Sequence, residues 1–580
     1  MHFAAVAQEF QQLETTSSRI EITKILAQLF KNASPHEISI LSNLSLGMLR
    51  PPYKGTQFNF AEKNLIGVVA NLIDQSEKEV AAHTKKLGDL GLVVAEYGKW
   101  KPEKELSVLQ VYQALCDFEH VSGKGSQEEK ADLALKLLKN VTPLEAKFII
   151  RIILGTLRLG FSDMTIIDAY SWMETGNKSL HTVIEDAYNK CVDIGYIGQL
   201  LKERGIQALK DMKIEVGIPI RPAAAERLST PKAIIEKIGD CVAQPKLDGF
   251  RLQIHIDNTH KKPRIEFFSR NLIDMSYMFP DLVEALSHLP VKNMICEGEA
   301  ISFDQHTGTF LPFQETVKRK RKHGIEEAIT EYPLRVFLFD LLYVDGQEYL
   351  TKSHEERRTK LLSLSKSIKN ESIQVIGEKK LHSAKELEDY FLENIDQGLE
   401  GLVVKKPDAI YQPGKRNFNW IKLKRHEEGH LEDTIDCVIL GYYSGSGKRV
   451  SFGMGAFLVG VYNKDLDAFQ TVAKIGTGLK DEEWKELKHK CDKIHVMAQP
   501  KNVICAKELV PDVWVSPEIV CMVRADEITL SPLHSAGKTE KNLGYALRFP
   551  RFMGYRPDKQ AVQATSVNEI QHLYDDQFKK

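Results

Sequence analysis

AQPKLDGFRLQIH, residues 243–255, sets Lys246 between a proline and a leucine at the mouth of a strand, with Asp248-Gly249 and then Arg251 close behind. A lysine amine is a poor nucleophile near neutral pH, because its ordinary pKa is about 10.4. Burial or cationic neighbours expose its lone pair. A turn at Asp248-Gly249 would aim that amine at a ligand, while Arg251 meets a phosphate or ribose. A surface lysine before a β-turn is the competing reading, and the segment alone favours it.

The surroundings of this stretch fall into three textures. Residues 1 to about 215 read as helical. In TPLEAKFIIRIIL, Thr142 is an N-cap, Pro143 opens the helix and Glu145 closes a capping box. EVGIPIRPAAAERLS, with Gly217, Pro219 and Pro222, breaks the periodicity and reads as a linker. From about 219 to 425, RLQIHID, RIEFFSR, MICEGEAISF, LRVFLFDLLYV and EGLVVKK are strand-like. SAKELEDYFLENIDQG is a helix capped by Ser383 and Glu386, with Gly398 just past its end. Beyond Arg425, DTIDCVILGYY, GAFLVGVYN, FQTVAKIG and EIVCMVRADEITLS are closely spaced strands that suggest a small β-barrel. A last helix starts at Ser566, boxed by Glu569.

Other segments supply chemistry that Lys246 lacks by itself. EGLVVKK places Glu400 ahead of an apolar strand ending in Lys405 and Lys406. In NWIKLKR, Lys422 and Lys424 share one strand face, where they repel each other unless an anion sits between them, and triphosphate is such an anion. CEGEA sets Glu297 and Glu299 on one face, suited to Mg²⁺ or ribose hydroxyls. For each segment a solvated edge strand is the alternative.

KLDGFR, FFSRN, CEGEAI, FLFDLLYVDG, EGLVVKK, NWIKLK and ALRFPRFMGYRPDK, in that order, resemble the motif set of the covalent nucleotidyltransferases, most closely the ATP-dependent DNA ligases of archaeal type. FAAVAQEFQQLETTSSR and LGTLRLG extend the likeness to nearly the whole chain. The resemblance implies a multidomain protein. Residues 1–218 would be an all-α DNA-binding domain, 219–427 an α+β nucleotidyltransferase (adenylation) domain, and 428–580 a β-barrel OB-fold with a C-terminal helix. It implies that Lys246 becomes adenylated, that Arg251 and Arg270 bind sugar and phosphate, and that Phe339 stacks on adenine. Glu299 would contact ribose or metal and Glu400 a catalytic metal, while Arg416, Lys422 and Lys424 grip phosphates. Arg548, Arg551, Asp558 and Lys559 match the last motif, which orients pyrophosphate in the first step, and Arg158 would be a DNA phosphate contact. The implied reaction seals nicks in duplex DNA, in replication, repair and recombination, through lysyl-AMP and a DNA-adenylate that join 3′-hydroxyl to 5′-phosphate. ATP and Mg²⁺ are the expected cofactors, with Mn²⁺ as substitute. Where the motif has glutamate two residues before the lysine, this chain has Gln244, whose amide adds a donor to the acceptor that adenine needs. ADP or GTP is therefore a secondary nucleotide to test.

The formal net charge of −1 favours no polyanion in bulk, so DNA contact requires local clustering of basic residues. Lys318–Lys322, KRKRK, is one cluster to test, a solvated face being its alternative. HEEGH, 426–430, matches a zinc signature, but Gly429 and a presumed hinge argue against the helix that signature needs. GYYSGSGKR resembles a phosphate loop, yet Arg449 stands where a hydroxyl is required, so a hairpin turn is expected. Eight scattered cysteines without a CxxC pair read as reduced thiols. No signal peptide or long apolar run is found, so a cytoplasmic protein with no membrane partner is expected. A monomer is also expected. Similar ligases bind a sliding clamp, but no clear Q-x-x-apolar-x-x-aromatic-aromatic peptide occurs here. An RNA ligase or capping guanylyltransferase is disfavoured by the long helical region, and an NAD-dependent ligase by the absence of a four-cysteine zinc site. A catalytically silent DNA-binding protein is disfavoured by Lys246, Glu400 and Arg548.

Overall fold

The computed structural model describes residues 1–577 except 304–309, 312–315, 317, 320–324, 369, 398, 425–433, 446 and 541. Its contacts divide the chain into two units, one of residues 1–74 with 97–425, the other of 75–96 with 426–580.

The first described strand is Ala224–Arg227, so everything before it is helix and connection. Helix Pro143–Ile153 shows why. Thr142 Oγ1 accepts the Glu145 amide and Glu145 accepts the Thr142 amide, which satisfies donors that a helix start leaves open. Every residue from Glu145 to Ile153 is then buried. The cap at Ser383 differs in detail: its hydroxyl accepts the Glu386 amide, but the Glu386 carboxylate takes the His382 amide instead of returning to Ser383. Gly398 lies outside the described residues.

Two largely antiparallel sheets follow. The first runs Ala224–Arg227, Arg416–Lys424, Gly401–Lys405, Cys241–Pro245, Lys379–Leu381. The second runs Arg264–Ser269, Phe250–Asp257, Asn293–Ser302, Leu334–Val344, Gln347–Glu348, with Ile373–Val375 beside Leu334–Val344. Alternation of side chains gives each sheet an apolar face. Helices Pro231–Ile238 and Ala384–Asp396 cover the first through Ile234, Leu387, Leu402, Val404, Ile421 and Leu423. Helix Pro280–Ser287 covers the second through Leu282 and Leu286.

Residues 246–249 carry the chain from one sheet to the other, with a bend at Gly249. Glycine is needed here for close approach: a Cβ on Gly249 would lie 2.3 Å from the Ala300 carbonyl oxygen.

In the second unit an eight-stranded sheet runs His495–Val496, Val513–Val515, Ile435–Tyr443, Ala456–Asn463, Ala468–Ile475, Val503–Ile504, with Val520–Arg524 bridging Ile435–Tyr443 and Arg551–Tyr555. Among the described residues these pairings do not close into a ring. EIVCMVRADEITLS is two strands, not one. Val520–Arg524 stays in the large sheet, whereas Glu527–Ser531 pairs with Gly544–Arg548, after buried Ala525 breaks the run. GYYSGSGKR begins in strand Ile435–Tyr443, and Arg449, between that strand and its antiparallel neighbour Ala456–Asn463, donates to the Gly455 carbonyl at 2.6 Å. HEEGH and the hinge near 428 lie outside the described residues. No disulfide forms among the cysteines, and no described helix is long and apolar enough to cross a membrane.

Candidate active site

Lys246 leaves the end of strand Cys241–Pro245 and is anchored on strand Gly401–Lys405. Its amide donates to the Gly401 carbonyl at 2.8 Å, and its carbonyl accepts the Glu400 amide at 3.3 Å. Its ammonium donates to the Glu400 carboxylate, and so does Lys424, from the adjacent strand Arg416–Lys424. The anion placed between these lysines in the free protein is therefore Glu400. Burial pushes the Glu400 carboxyl up, but Lys246 and Lys424 outweigh it and hold it below the usual carboxylate range.

Lys422 lies one alternation from Lys424, with Ile421 and Leu423 buried on the opposite face. It forms no ion pair among the described residues. Burial, then repulsion from Lys424, Arg416, Lys246 and Arg227, draws its pKa down. A cationic cluster of this kind releases repulsion when a polyanion enters.

Glu299 is half-buried and accepts a hydrogen bond from the Gly249 amide. Burial raises its carboxyl to about 7, against the pull of Lys246 and Arg251. Glu297 is spent differently. It is fully buried and accepts Arg251 Nη2 at 3.0 Å and the Tyr411 hydroxyl at 3.0 Å. Arg251 also donates to the Ala223 carbonyl at 2.9 Å, and its guanidinium lies 5.5 Å from the Phe339 and Trp420 ring centres. It is thus tied into the protein between Glu297 and the Ala223 carbonyl. Phe339 is half-buried, with Leu247, Ile301, Ile376, Phe337 and Leu399 in the same apolar cluster.

The remaining expected residues are more dispersed. Arg270 is exposed past the end of strand Arg264–Ser269, and Arg416 is exposed at the start of its strand. Arg158 is exposed between buried Leu157 and Leu159, with φ of +62°. In the second unit Arg548 pairs with Glu527, Arg551 with Asp526 at 3.0 Å, Asp558 with Arg556 at 2.8 Å, and Lys559 with Asp436 at 2.7 Å. Of the basic run Lys318–Lys322, only Lys318 and Arg319 are described. Lys318 is exposed, whereas Arg319 is buried, against the expectation of a solvated or DNA-facing run.

Four residues were given no role in the sequence reading. Arg556 sits within the quoted RPDK and joins Asp558 to Asp436. Lys405, fully buried, lies 4.3 Å from the Trp420 ring centre and 5.2 Å from that of Phe339, and donates to the Phe339 carbonyl at 3.1 Å. Burial draws its pKa down to about 8, with Asp340 opposing. Glu378, which accepts from Gln244, and His354, which bonds to Glu378, carry no local signature at all. Lys405 and Arg556 had a usable signal, their places in EGLVVKK and RPDK.

Comparison with known proteins accounts for this layout. The family profile "ATP dependent DNA ligase domain" matches residues 222–424, "DNA ligase N terminus" matches 2–171, and "ATP dependent DNA ligase C terminal region" matches 451–559. A "Probable DNA ligase" of Dictyoglomus thermophilum is 44% identical over all of this chain and 98% of its own. "DNA ligase 2" of Thermofilum pendens is 40% identical over the same shares. A solved structure described as "Pmar-Lig_PreS3" has the same fold, with a TM-score of 0.55 and 17% identity over 95% of this chain and 99% of its own. The chain belongs to the ATP-dependent DNA ligases. It joins DNA ends at nicks with ATP as nucleotide source, through the adenylate intermediates general to that family.

Proposed function

We propose that Lys246 is the residue that captures AMP. The observation that carries this reading is the convergence on one lysine of two carboxylates, Glu299 and Glu400, and the cations of strand Arg416–Lys424. The Lys246 nitrogen forms a bond to the α-phosphorus of ATP as the bond to pyrophosphate breaks, and the proton that the amine loses passes to solvent water. Arg416, Lys422 and Lys424 neutralise charge on the departing pyrophosphate. AMP then passes to a DNA 5′-phosphate, and the 3′-hydroxyl displaces it. Phe339 offers its ring to adenine and Gln244 its carbonyl oxygen to the adenine amino group. Arg251 and Arg270 face sugar and phosphate.

Mg²⁺ fits this donor set. It binds through one or two carboxylates together with nucleotide phosphates and does not need a cage of protein ligands. Accordingly, no group of three or more His, Cys, Asp or Glu side chains suited to a metal occurs among the described residues. Glu400 and Glu299 would hold it, exchanging ammonium contacts and a costly buried charge for the cation. When bound, Mg²⁺ or Mn²⁺ supplies charge stabilisation at phosphate oxygens.

We assign residues 1–218 to DNA backbone binding, 219–427 to adenylation and 428–580 to an OB-fold barrel. Exposed Arg158, on a left-handed residue between two buried leucines, suits a phosphate contact. Arg548, Arg551 and Lys559 serve the first step by exchanging their present ion pairs for pyrophosphate, and Asp558 serves it by holding Arg556 in place. A monomer, cytoplasmic location, a sliding-clamp partner and weak use of ADP or GTP complete the reading.

The test is incubation with α-labelled ATP and Mg²⁺, followed by acid denaturation. An acid-labile adduct is expected that K246A abolishes and that discharges on nicked duplex DNA but not on single-stranded RNA. An adduct retained by K246A refutes the assignment.

A further inference from the structure

Gln244 is a site residue whose chemistry is ambiguous in isolation. A glutamine amide offers both an acceptor and a donor, and it can turn over. With the oxygen presented, it matches the 6-amino group of adenine. With the nitrogen presented, it matches the 6-oxo group of guanine.

Its surroundings remove the ambiguity. Gln244 is 2% exposed, and its Nε2 donates to Glu378 Oε2 at 2.7 Å. Glu378 also accepts from His354 Nε2 at 2.8 Å, and Arg358 Nε lies 3.9 Å from its carboxylate. Burial pushes the Glu378 carboxyl up, but His354 and Arg358 outweigh it and bring it down to about 2, so it is an anion at any physiological pH. An ionised carboxylate only accepts hydrogen bonds. It would repel the Gln244 oxygen, so the amide is locked with its nitrogen toward Glu378. The oxygen, with no hydrogen bond among the described residues, faces elsewhere. Ile376, two residues before Glu378, belongs to the apolar cluster that contains Phe339, so the same segment borders the expected nucleobase pocket.

We propose that Glu378 is a positioning residue that selects ATP over GTP by holding Gln244 with only its acceptor presented to the base. The proposal rests on the reading of Lys246 and Gln244 given above. It adds a specificity role for a residue that touches neither phosphate nor metal, with His354 and Arg358 as its supports.

The experiment uses the full chain, stripped of bound AMP with pyrophosphate and Mg²⁺. Covalent labelling by α-labelled ATP and GTP is measured across concentrations for the wild type, E378Q, Q244L, the swapped pair Q244E/E378Q and K246A, with a melting curve for each. E378Q removes the charge and lets the amide turn. Its ATP-to-GTP ratio is expected to fall by about tenfold or more, roughly the worth of one hydrogen bond. The change should lie in half-saturation, with labelling at saturating ATP little altered. In the swapped pair the new carboxylate at 244 accepts from the new amide at 378 and still presents an acceptor, so the ratio should return. A folded E378Q with the wild-type ratio overturns the proposal, as does a swapped pair that fails to restore it. If E378Q does not fold, the swapped pair decides alone. Labelling of K246A, or an unchanged ratio in Q244L, would instead overturn the underlying site reading.

Discussion

Lys246 and Glu400 are joined twice, through the backbone and through their side chains. The Glu400 amide donates to the Lys246 carbonyl at 3.3 Å, and the Glu400 carboxylate receives the Lys246 ammonium while also holding Lys424. The backbone link is independent of side-chain identity, so Glu400→Gln should leave the lysine's path through the sheet intact. What it removes is the charge that organises two cations and would hold a metal. Covalent adenylation should fall by about 100-fold or more, the scale seen when one preorganised charge-stabilising group is lost. Melting should shift by only a few degrees. Single-turnover labelling with calorimetry checks both, and unimpaired labelling refutes the role.

Lys422 leads to a prediction of opposite sign for stability and binding. Its neighbours Lys424, Arg416, Lys246 and Arg227 are all cationic, and it forms no ion pair among the described residues. Lys422→Ala should therefore stabilise the free protein slightly, by about 0.5 kcal/mol, the scale of a partly exposed charge pair. The same change should weaken ATP by about tenfold, because a charge-assisted phosphate contact is lost. Melting curves with and without ATP separate the two effects. A destabilised free protein with an unchanged ATP shift would mean that the lysine serves packing.

The contrast between these residues shows what a sequence discloses. Lys422 and Lys424 were legible as a pair because strand side chains alternate with period two. Thr142, Glu145 and Ser566 were legible because a helix start has a short local grammar. Glu378 was not, because its bond to Gln244 spans 134 positions and no pattern links them. Asp248-Gly249 was read as a turn. Local statistics favour a turn, whereas the chain passes there between two sheets and the glycine admits the Ala300 carbonyl. Arg251 was singled out by its place in KLDGFR, but its pairing with Glu297 depends on strand register, which only the folded sheet supplies.

Asp340 and Arg357 form a bidentate ion pair at 2.6 and 3.1 Å with neither side chain exposed, next to Lys405 and Phe339. Burial pushes the Asp340 carboxyl up, but Arg357 and Lys405 outweigh it and bring it from 3.8 to about 2. A folded-state value below the unfolded one contributes stability that is present above pH 3.8 and lost as pH falls toward 2. The amount is roughly 2 kcal/mol. Denaturant melts between pH 5 and pH 2 should show a steeper acid loss in the wild type than in Asp340→Asn, which is less stable at pH 5. Parallel acid profiles would exclude Asp340 as a source of the loss.

The basic run at 318–322 makes the last prediction, because its two described members differ in what they touch. Arg319 is 1% exposed. It donates to the carbonyls of Tyr332 at 3.0 Å, Ala328 at 3.4 Å and Met278 at 3.4 Å, and pairs with Asp281. It therefore ties helix Ile325–Glu331 to the segment that opens helix Pro280–Ser287. Arg319→Ala leaves buried carbonyls and a carboxylate without their donor, a loss of about 3 kcal/mol or more. Lys318 is exposed, its ammonium 5.5 Å from the Tyr332 ring centre, and Lys318→Ala should cost under about 0.5 kcal/mol. If Lys318 meets DNA, its removal should weaken binding equally for all sequences and reduce the slope of log affinity against log salt by about one. Urea melts and nicked-duplex binding at two salt concentrations make the separation. An Arg319→Ala protein with full stability but a reduced salt slope would reverse the assignment and make the whole run a DNA contact.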